Sequence, residues 1–235
     1  MKNIKLSILP LFVSALLATS CDAISINNKN NDNDNNNNNN KEVDQTIFEE
    51  NKRDALYQYG KNTGYEISFS VTDTSQSEDA KHYISGYKGN LIWKMEYDTL
   101  YTAYELVDNG SCTMYSYNYE LERWSVMGEG NNSNVFENAG FNSSVNRLYS
   151  TNQYVKYEGF VEEGTGTYLD RTIHKYNYFQ DFGSTTVNYE FYVEEQFGLT
   201  CYSKITYNRQ DGAYYQEMSV TAIKVGDEVT LPAVH

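Results

Sequence analysis

The sequence predicts an α+β domain: one strongly curved antiparallel sheet, a half-barrel of roughly ten strands, wrapped around an N-terminal helix and a short central helical insert. Three observations lead there. From Tyr65 onward apolar and polar residues alternate with period two, as in Tyr65, Ile67, Phe69 and Val71, the pattern of a half-buried strand. Turn residues such as Gly89-Asn90 and Asn109-Gly110 punctuate that alternation, and consecutive hairpins make antiparallel neighbours. The alternation lapses once, between Gly128 and Tyr149, which leaves room for an insert.

The elements are justified in chain order. Lys2 and Lys5 precede an apolar run, Leu6 to Leu17, which ends on Ala18-Thr19-Ser20-Cys21. The run is too short for a permanent membrane span and has the proportions of a secretory signal. Small residues followed by a cysteine resemble the lipobox of bacterial lipoproteins, with Ala18 standing where leucine is usual. That resemblance implies cleavage before Cys21 and its acylation. Membrane lipid is then the partner, and the protein sits lipid-anchored on the extracytoplasmic face of the cell membrane. Ordinary signal cleavage after Ser20 is the alternative, because Ala18-Thr19-Ser20 also reads as a small-x-small site. Asn27 to Asn40 holds eleven Asn, two Asp and one Lys. Such a tract cannot bury enough surface to offset its ordering entropy. As a coil, residues 22–41 reach roughly 25 Å, a tether behind an anchor. The chain thus divides into a signal (1–20), a lipidated cysteine with its tether (21–41) and one domain (42–235).

In the domain, Glu42 to Tyr59 reads as one helix, with Val43, Ile47, Ala55 and Tyr57 at rough helical spacing and Asn62-Thr63-Gly64 as its stop. Strands follow at 65–71, 81–88, 91–97, 100–107, 112–119 and 121–127. In the third of these, Leu91, Trp93, Met95 and Tyr97 share a face opposite Lys94 and Glu96. Asn131 to Leu148 is the loop and short helical region. Strands resume at 153–161, turn through Glu162-Glu163-Gly164-Thr165-Gly166, and continue at 167–179, 185–194, 199–207 and 213–224. Gly198 is expected in the left-handed conformation.

Composition narrows the partners. Loss of residues 1–20 removes two lysines and leaves 16 basic against 32 acidic residues, a net charge of −16. Nucleic acid is excluded as a partner, because phosphate binding needs a basic patch. An anionic leaflet would repel the domain, so attachment falls to the lipid on Cys21. The 23 Tyr and 10 Phe suit a pleated, half-buried surface.

Four stretches resemble the lipoprotein-carrier half-barrels typified by LolA and the LppX/LprG lipoproteins. They are Tyr87 to Trp93, Met114 to Tyr117 with Trp124, Tyr189 to Glu194 with Phe197-Gly198-Leu199, and Val220 to Ile223 leading into Leu231-Pro232. The resemblance spans residues 60–232 and implies a hydrophobic cavity between sheet and helices that holds acyl chains.

Candidate site residues each carry a plain structural reading beside the functional one. His82 reads as an exposed strand start, His174 as a half-buried structural residue and His235 as the terminus. No G-x-S-x-G elbow accompanies them, so the protein reads as a non-enzyme. No H-E-x-x-H or C-x-x-C motif exists for zinc and no glycine closes Asp32-Asn33-Asp34 as a calcium loop, so neither metal nor cofactor is expected. Glu162-Glu163 and Glu194-Glu195 read as solvated charge in turns. Cys112 and Cys201 are a possible disulfide in an exported domain, or two small buried residues. Phe69, Trp93, Met95, Phe191 and Met218 are the candidates to line a ligand pocket, or simply sheet core. The expected function is non-catalytic binding of an acyl chain or other apolar ligand. The alternative is an interaction protein that binds another protein through a Tyr-rich surface.

Overall fold

A computed structural model of the chain describes residues 43–49, 52, 55–56, 62–76, 78–97, 100–106, 110–131, 141–227 and 229. Cys21, the signal, the tether and His235 lie outside the described residues. None of the described helices is long and apolar enough to cross a membrane.

Eleven antiparallel strands form one open sheet. β1 (Gly64–Asp73), β2 (Glu78–Tyr87), β3 (Asn90–Tyr97), β4 (Leu100–Leu106), β5 (Ser111–Asn118) and β6 (Arg123–Asn131) make one meander. β7 (Val161–Tyr168), β8 (Arg171–Asp181), β9 (Thr185–Glu194), β10 (Thr200–Arg209) and β11 (Gly212–Val225) make a second. The order across the sheet is β6-β5-β4-β3-β2-β1-β11-β10-β9-β8-β7, so the two meanders meet at β1 and β11. Local turn chemistry sets the hairpins. Lys88 (φ 48°) and Gly89 (φ 82°) join β2 to β3, and Leu169 (φ 50°) and Asp170 (φ 59°) join β7 to β8. Two successive positive φ values match the twist of the flanking strands.

This order has a geometric consequence. β6 and β7 are consecutive in the chain but occupy opposite edges, so the connection between them must cross one face of the sheet. Its described part is a helix α1 (Phe141–Arg147), a 3-10 turn at Ser150–Gln153 and further turns up to Phe160. Val145, Leu148 and Tyr149 from this strap share a buried cluster with Tyr65, Ile67, Phe69, Ile84 and Trp93. These strand residues alternate onto one face of β1, β2 and β3, the inner face. The strap therefore runs over the inner face. A second inner-face cluster, under β8 and β9, gathers Ile47, Phe160, Tyr176, Tyr178, Val187, Tyr189, Phe191 and Val193.

Four sequence expectations are corrected. The helix expected over 42–59 is interrupted. Asp44 caps a 3-10 turn, Gln45–Phe48, by accepting from the Thr46 amide at 2.9 Å, and Glu49 is then extended (φ −65°, ψ 144°). Helical backbone returns at Lys52, Ala55 and Leu56. The strand expected over 153–161 is instead the end of the strap, whose turns pack the consecutive Tyr154 and Val155 onto the second cluster. Glu162 to Gly166, expected as a turn, lies within β7, where the register slips between Glu162 and Gly164 and Gly164 adopts φ 150°. A glycine at a bulge in an edge strand reads locally like a turn. Cys112 and Cys201 are free, buried thiols on β5 and β10, with five strands between them in the sheet order. The Asp108-Asn109 turn lies outside the described residues.

Candidate functional site

Among the described residues β1 and β2 supply the floor of an enclosed site, and α1 with the turn after it supplies the roof. Tyr65, Ile67 and Ile84 face Val145, Leu148, Tyr149 and Leu56 across a cavity of about 20 Å³. The lining is apolar because alternate residues of both strands point inward and α1 presents its own apolar side to them. A space of this size holds about one water molecule and no acyl chain. The concavity is thus filled by the protein's own strap.

The five expected pocket residues lie elsewhere. Phe69, Trp93, Phe191 and Met218 are buried core and Met95 is half-buried; none of them lines the cavity. Phe191 belongs to the second cluster. The lining residues were visible as strand alternation at Tyr65 and Ile67 and as apolar positions of the insert at Val145 and Leu148. Nothing local said that these would meet.

Two clasps hold the strap. At one end Ser144 Oγ lies 3.4 Å from His82 Nδ1, and the His82 ring stacks on Phe69 with centroids 4.6 Å apart. His82 is 8% exposed, which corrects the expectation of an exposed strand start: α1, sixty residues later in the chain, covers it. Burial first, and then the Arg147 guanidinium, pull its pKa down to about 4. The ring is therefore neutral near pH 7. At the other end the Thr200 amide donates to the Leu148 carbonyl at 2.8 Å, and the Thr151 and Thr200 hydroxyls bond at 2.9 Å.

Other polar groups are structural. A hydroxyl beside an imidazole can be an activated nucleophile, but Ser144 and His82 are both buried. His174 Nδ1 lies 3.1 Å from Glu162 Oε1, whose side chain is nearly inaccessible. Glu194 accepts from the Gln196 and Phe197 amides and from Arg171, so it organises the β9–β10 turn. These two carboxylates are not the solvated charges expected. Their neighbours Glu163 and Glu195 are exposed. Burial, ahead of the nearby Glu194, pushes the Cys201 thiol up to about 12, and burial also raises Cys112. Neither is a ready nucleophile. Among the described residues no group of three or more His, Cys, Asp or Glu comes together to hold a metal. An open polar cleft of about 700 Å³ lies by the β7–β8 turn, with Lys52, Arg171 and Gln196 on its walls, and Arg171 there is already committed to Glu194.

The outer face carries a separate feature. Tyr101, Tyr117, Tyr119 and Trp124 form a tilted ring cluster with centroids from 4.7 to 5.9 Å apart. Lys94 Nζ lies 5.9 Å from the Tyr83 ring and 6.0 Å from that of Trp124. Tyr119 is exposed and the others are half-buried.

Neither a protein-family model nor a curated protein matches the chain. Among solved structures it is similar to the MucA/MucB complex of Pseudomonas aeruginosa, at 11% identity and TM-score 0.40 over 80% of this chain and 59% of that one. It is also similar to a DUF1329 family protein from Desulfovibrio piger, at 7% identity and TM-score 0.30 over 79% and 94%. A third is an outer membrane lipoprotein-sorting protein domain from Vibrio parahaemolyticus, at 9% identity and TM-score 0.27 over 77% and 94%. The chain spans 59% of the MucA/MucB chain it matches. At these identities and scores the likeness says nothing about ligand, partner or activity.

Proposed function

We propose that this is a non-catalytic binding protein, held at the extracytoplasmic face of the membrane by an acylated Cys21, that takes an acyl chain or comparable apolar ligand between strap and sheet. One observation carries the reading: the space between α1 and strands β1 and β2 is lined only by apolar and aromatic side chains. It is a seam between two separable layers. An alkyl chain that displaced α1 would meet Ile67, Ile84 and Tyr65 as its floor, and each CH₂ buried there contributes about 0.8 kcal/mol. Native mass spectrometry of the chain purified from its membrane, read beside binding of a fluorescent fatty acid, tests this. An adduct of acyl-chain mass and saturable binding are expected; a lipid-free protein that does not bind the probe ends the reading. For the anchor, Cys21→Ser is expected to move the protein out of the membrane fraction and abolish fatty-acid labelling. Retention with label would assign the acylation elsewhere.

A second reading is favoured by the ring cluster of Tyr101, Tyr117, Tyr119 and Trp124 on the outer face. Aromatic residues are enriched at protein interfaces, and the cluster lies on the sheet face opposite the seam. Trp124→Ala is expected to leave fatty-acid binding unchanged. If the variant loses that binding, the outer face and the seam are not independent.

A further inference from the structure

His82 is a titratable ring buried between a strand and the helix that covers the seam. Its stacking partner on β1 is Phe69, and its cross-strand neighbour on β3 is Met95. On its own strand Lys81 and Tyr83 alternate to the opposite face. From α1 it meets Ser144 and, as the charge that acts on it, Arg147. The ring is thus held by apolar surface, a hydroxyl and a cation. A second positive charge placed here is both desolvated and repelled.

We propose that α1 is a lid over the apolar seam, released when His82 becomes protonated, while the Thr200 clasp keeps the C-terminal part of the strap on the sheet. The proposal rests on the seam being the ligand site and adds its regulation. The geometry separates the two ends of the strap. Protonation of the covered His82 ring places a second, desolvated cation beside Arg147 under α1. The Leu148 carbonyl to Thr200 amide bond and the Thr151–Thr200 hydroxyl pair contain nothing that titrates in this range. Val145 stands between the clasps and roofs the cavity together with Leu148, which the second clasp holds, so release at Ser144 lifts Val145 and leaves a hinge at Leu148.

The direction follows from linkage. A solvated imidazole titrates near about 6.5, and the covered one near about 4. The lid-open state therefore binds the proton more tightly. Closure is fully favoured above about pH 6.5 and loses ground as the pH falls towards 4. Between about pH 7 and pH 4 the ratio of open to closed lid rises by about 100-fold.

Hydrogen exchange on the full chain reads the lid directly. After correction for the intrinsic pH dependence of exchange, the α1 amides are expected to lose protection by about 100-fold from about pH 7 to pH 4, while β9 and β10 amides keep theirs. His82→Phe, which keeps the stack on Phe69 but cannot take a proton, is expected to flatten that profile. His82→Gln serves as a second uncharged variant should the first fold poorly. The same pH profile in either variant as in the wild type overturns the proposal, and so does loss of protection across the whole sheet at once. Fluorescent fatty acid binding, measured in parallel, separates the two claims. A lid that opens through His82 but admits no fatty acid at any pH removes the ligand reading and keeps the switch. Fatty acid bound equally at both pH values by a lid that stays protected does the reverse.

Discussion

Under β8 and β9 the inner face is filled mostly with rings, and under β1 and β2 Ile67, Val71 and Ile84 alternate with Tyr65, Phe69 and His82. Tyr154 and Phe160 come off the end of the strap and stack among Tyr176, Tyr178, Tyr189 and Phe191, with centroids between 4.7 and 6.3 Å. The other half is closed by Val145 of a seven-residue helix and by Leu148 just after it, and a small void remains beneath them. Rings of two rotatable bonds interlock into a surface with one solution. A short helix resting on Ile67 and Ile84 has no such lock, and isolated helices of this length are not stable without their packing. The proposed lid motion therefore belongs to the α1 half, with the aromatic half as the frame that it would move against.

Five substitutions break or sharpen that contrast, and equilibrium denaturation measures each. Phe191→Ala removes a fully buried ring from the aromatic half and is expected to cost about 3–5 kcal/mol. Leu148→Ala opens more space beside an existing void in a segment able to relax, and is expected to cost about 2–3 kcal/mol. If it costs more than Phe191→Ala, the two halves are ranked wrongly. A matched pair comes next. Val187→Ile forces a methylene into the packed half at about 1–3 kcal/mol. Val145→Ile places the same group against the cavity, with an expected change below about 0.5 kcal/mol in either direction. Equal costs would mean that the void is not usable space. Thr200→Val leaves the buried Thr151 hydroxyl without its partner. It is expected to cost about 1–2 kcal/mol and to loosen the hinge end of the strap, seen as faster exchange at Tyr154 and its neighbours.

The same contrast marks how far the sequence could be read. Sheet strands declare themselves by alternation, so β1, β3, β9 and β11 fall within a few residues of expectation. The strap does not, because what makes it a strap is the distance between its ends. Tyr154 to Val161 is rich enough in tyrosine, valine and phenylalanine to pass for a strand, and the edge-to-edge connection is what makes it a strap. The β7–β8 turn was equally hidden: it uses Leu169 at φ 50°, a conformation that no side chain of that kind advertises. The cavity residues Tyr65 and Ile67 were legible as inward-facing, but their roof comes from a segment about eighty residues later. His82 looked exposed for the same reason, since burial imposed by a distant element leaves no trace in the local pattern.

The seam between β1 and β11 carries one more consequence, for how the chain finds its fold. Every other strand pair joins sequence neighbours through a turn, whereas Glu66 pairs with Lys224 and Gly226 donates to the Gly64 carbonyl at 2.9 Å. The two meanders can zip up separately within microseconds to milliseconds as local hairpins, yet the middle of the sheet waits for the closure of a loop of nearly the whole domain. Folding should therefore be slow for a chain so rich in hairpins. A circular permutant that joins the two ends of the domain through a flexible linker, so that the buried Ile47, Leu56 and Val229 are kept, and opens the chain in the β5–β6 turn brings the central pair closer in sequence, and is expected to fold faster with the same final structure.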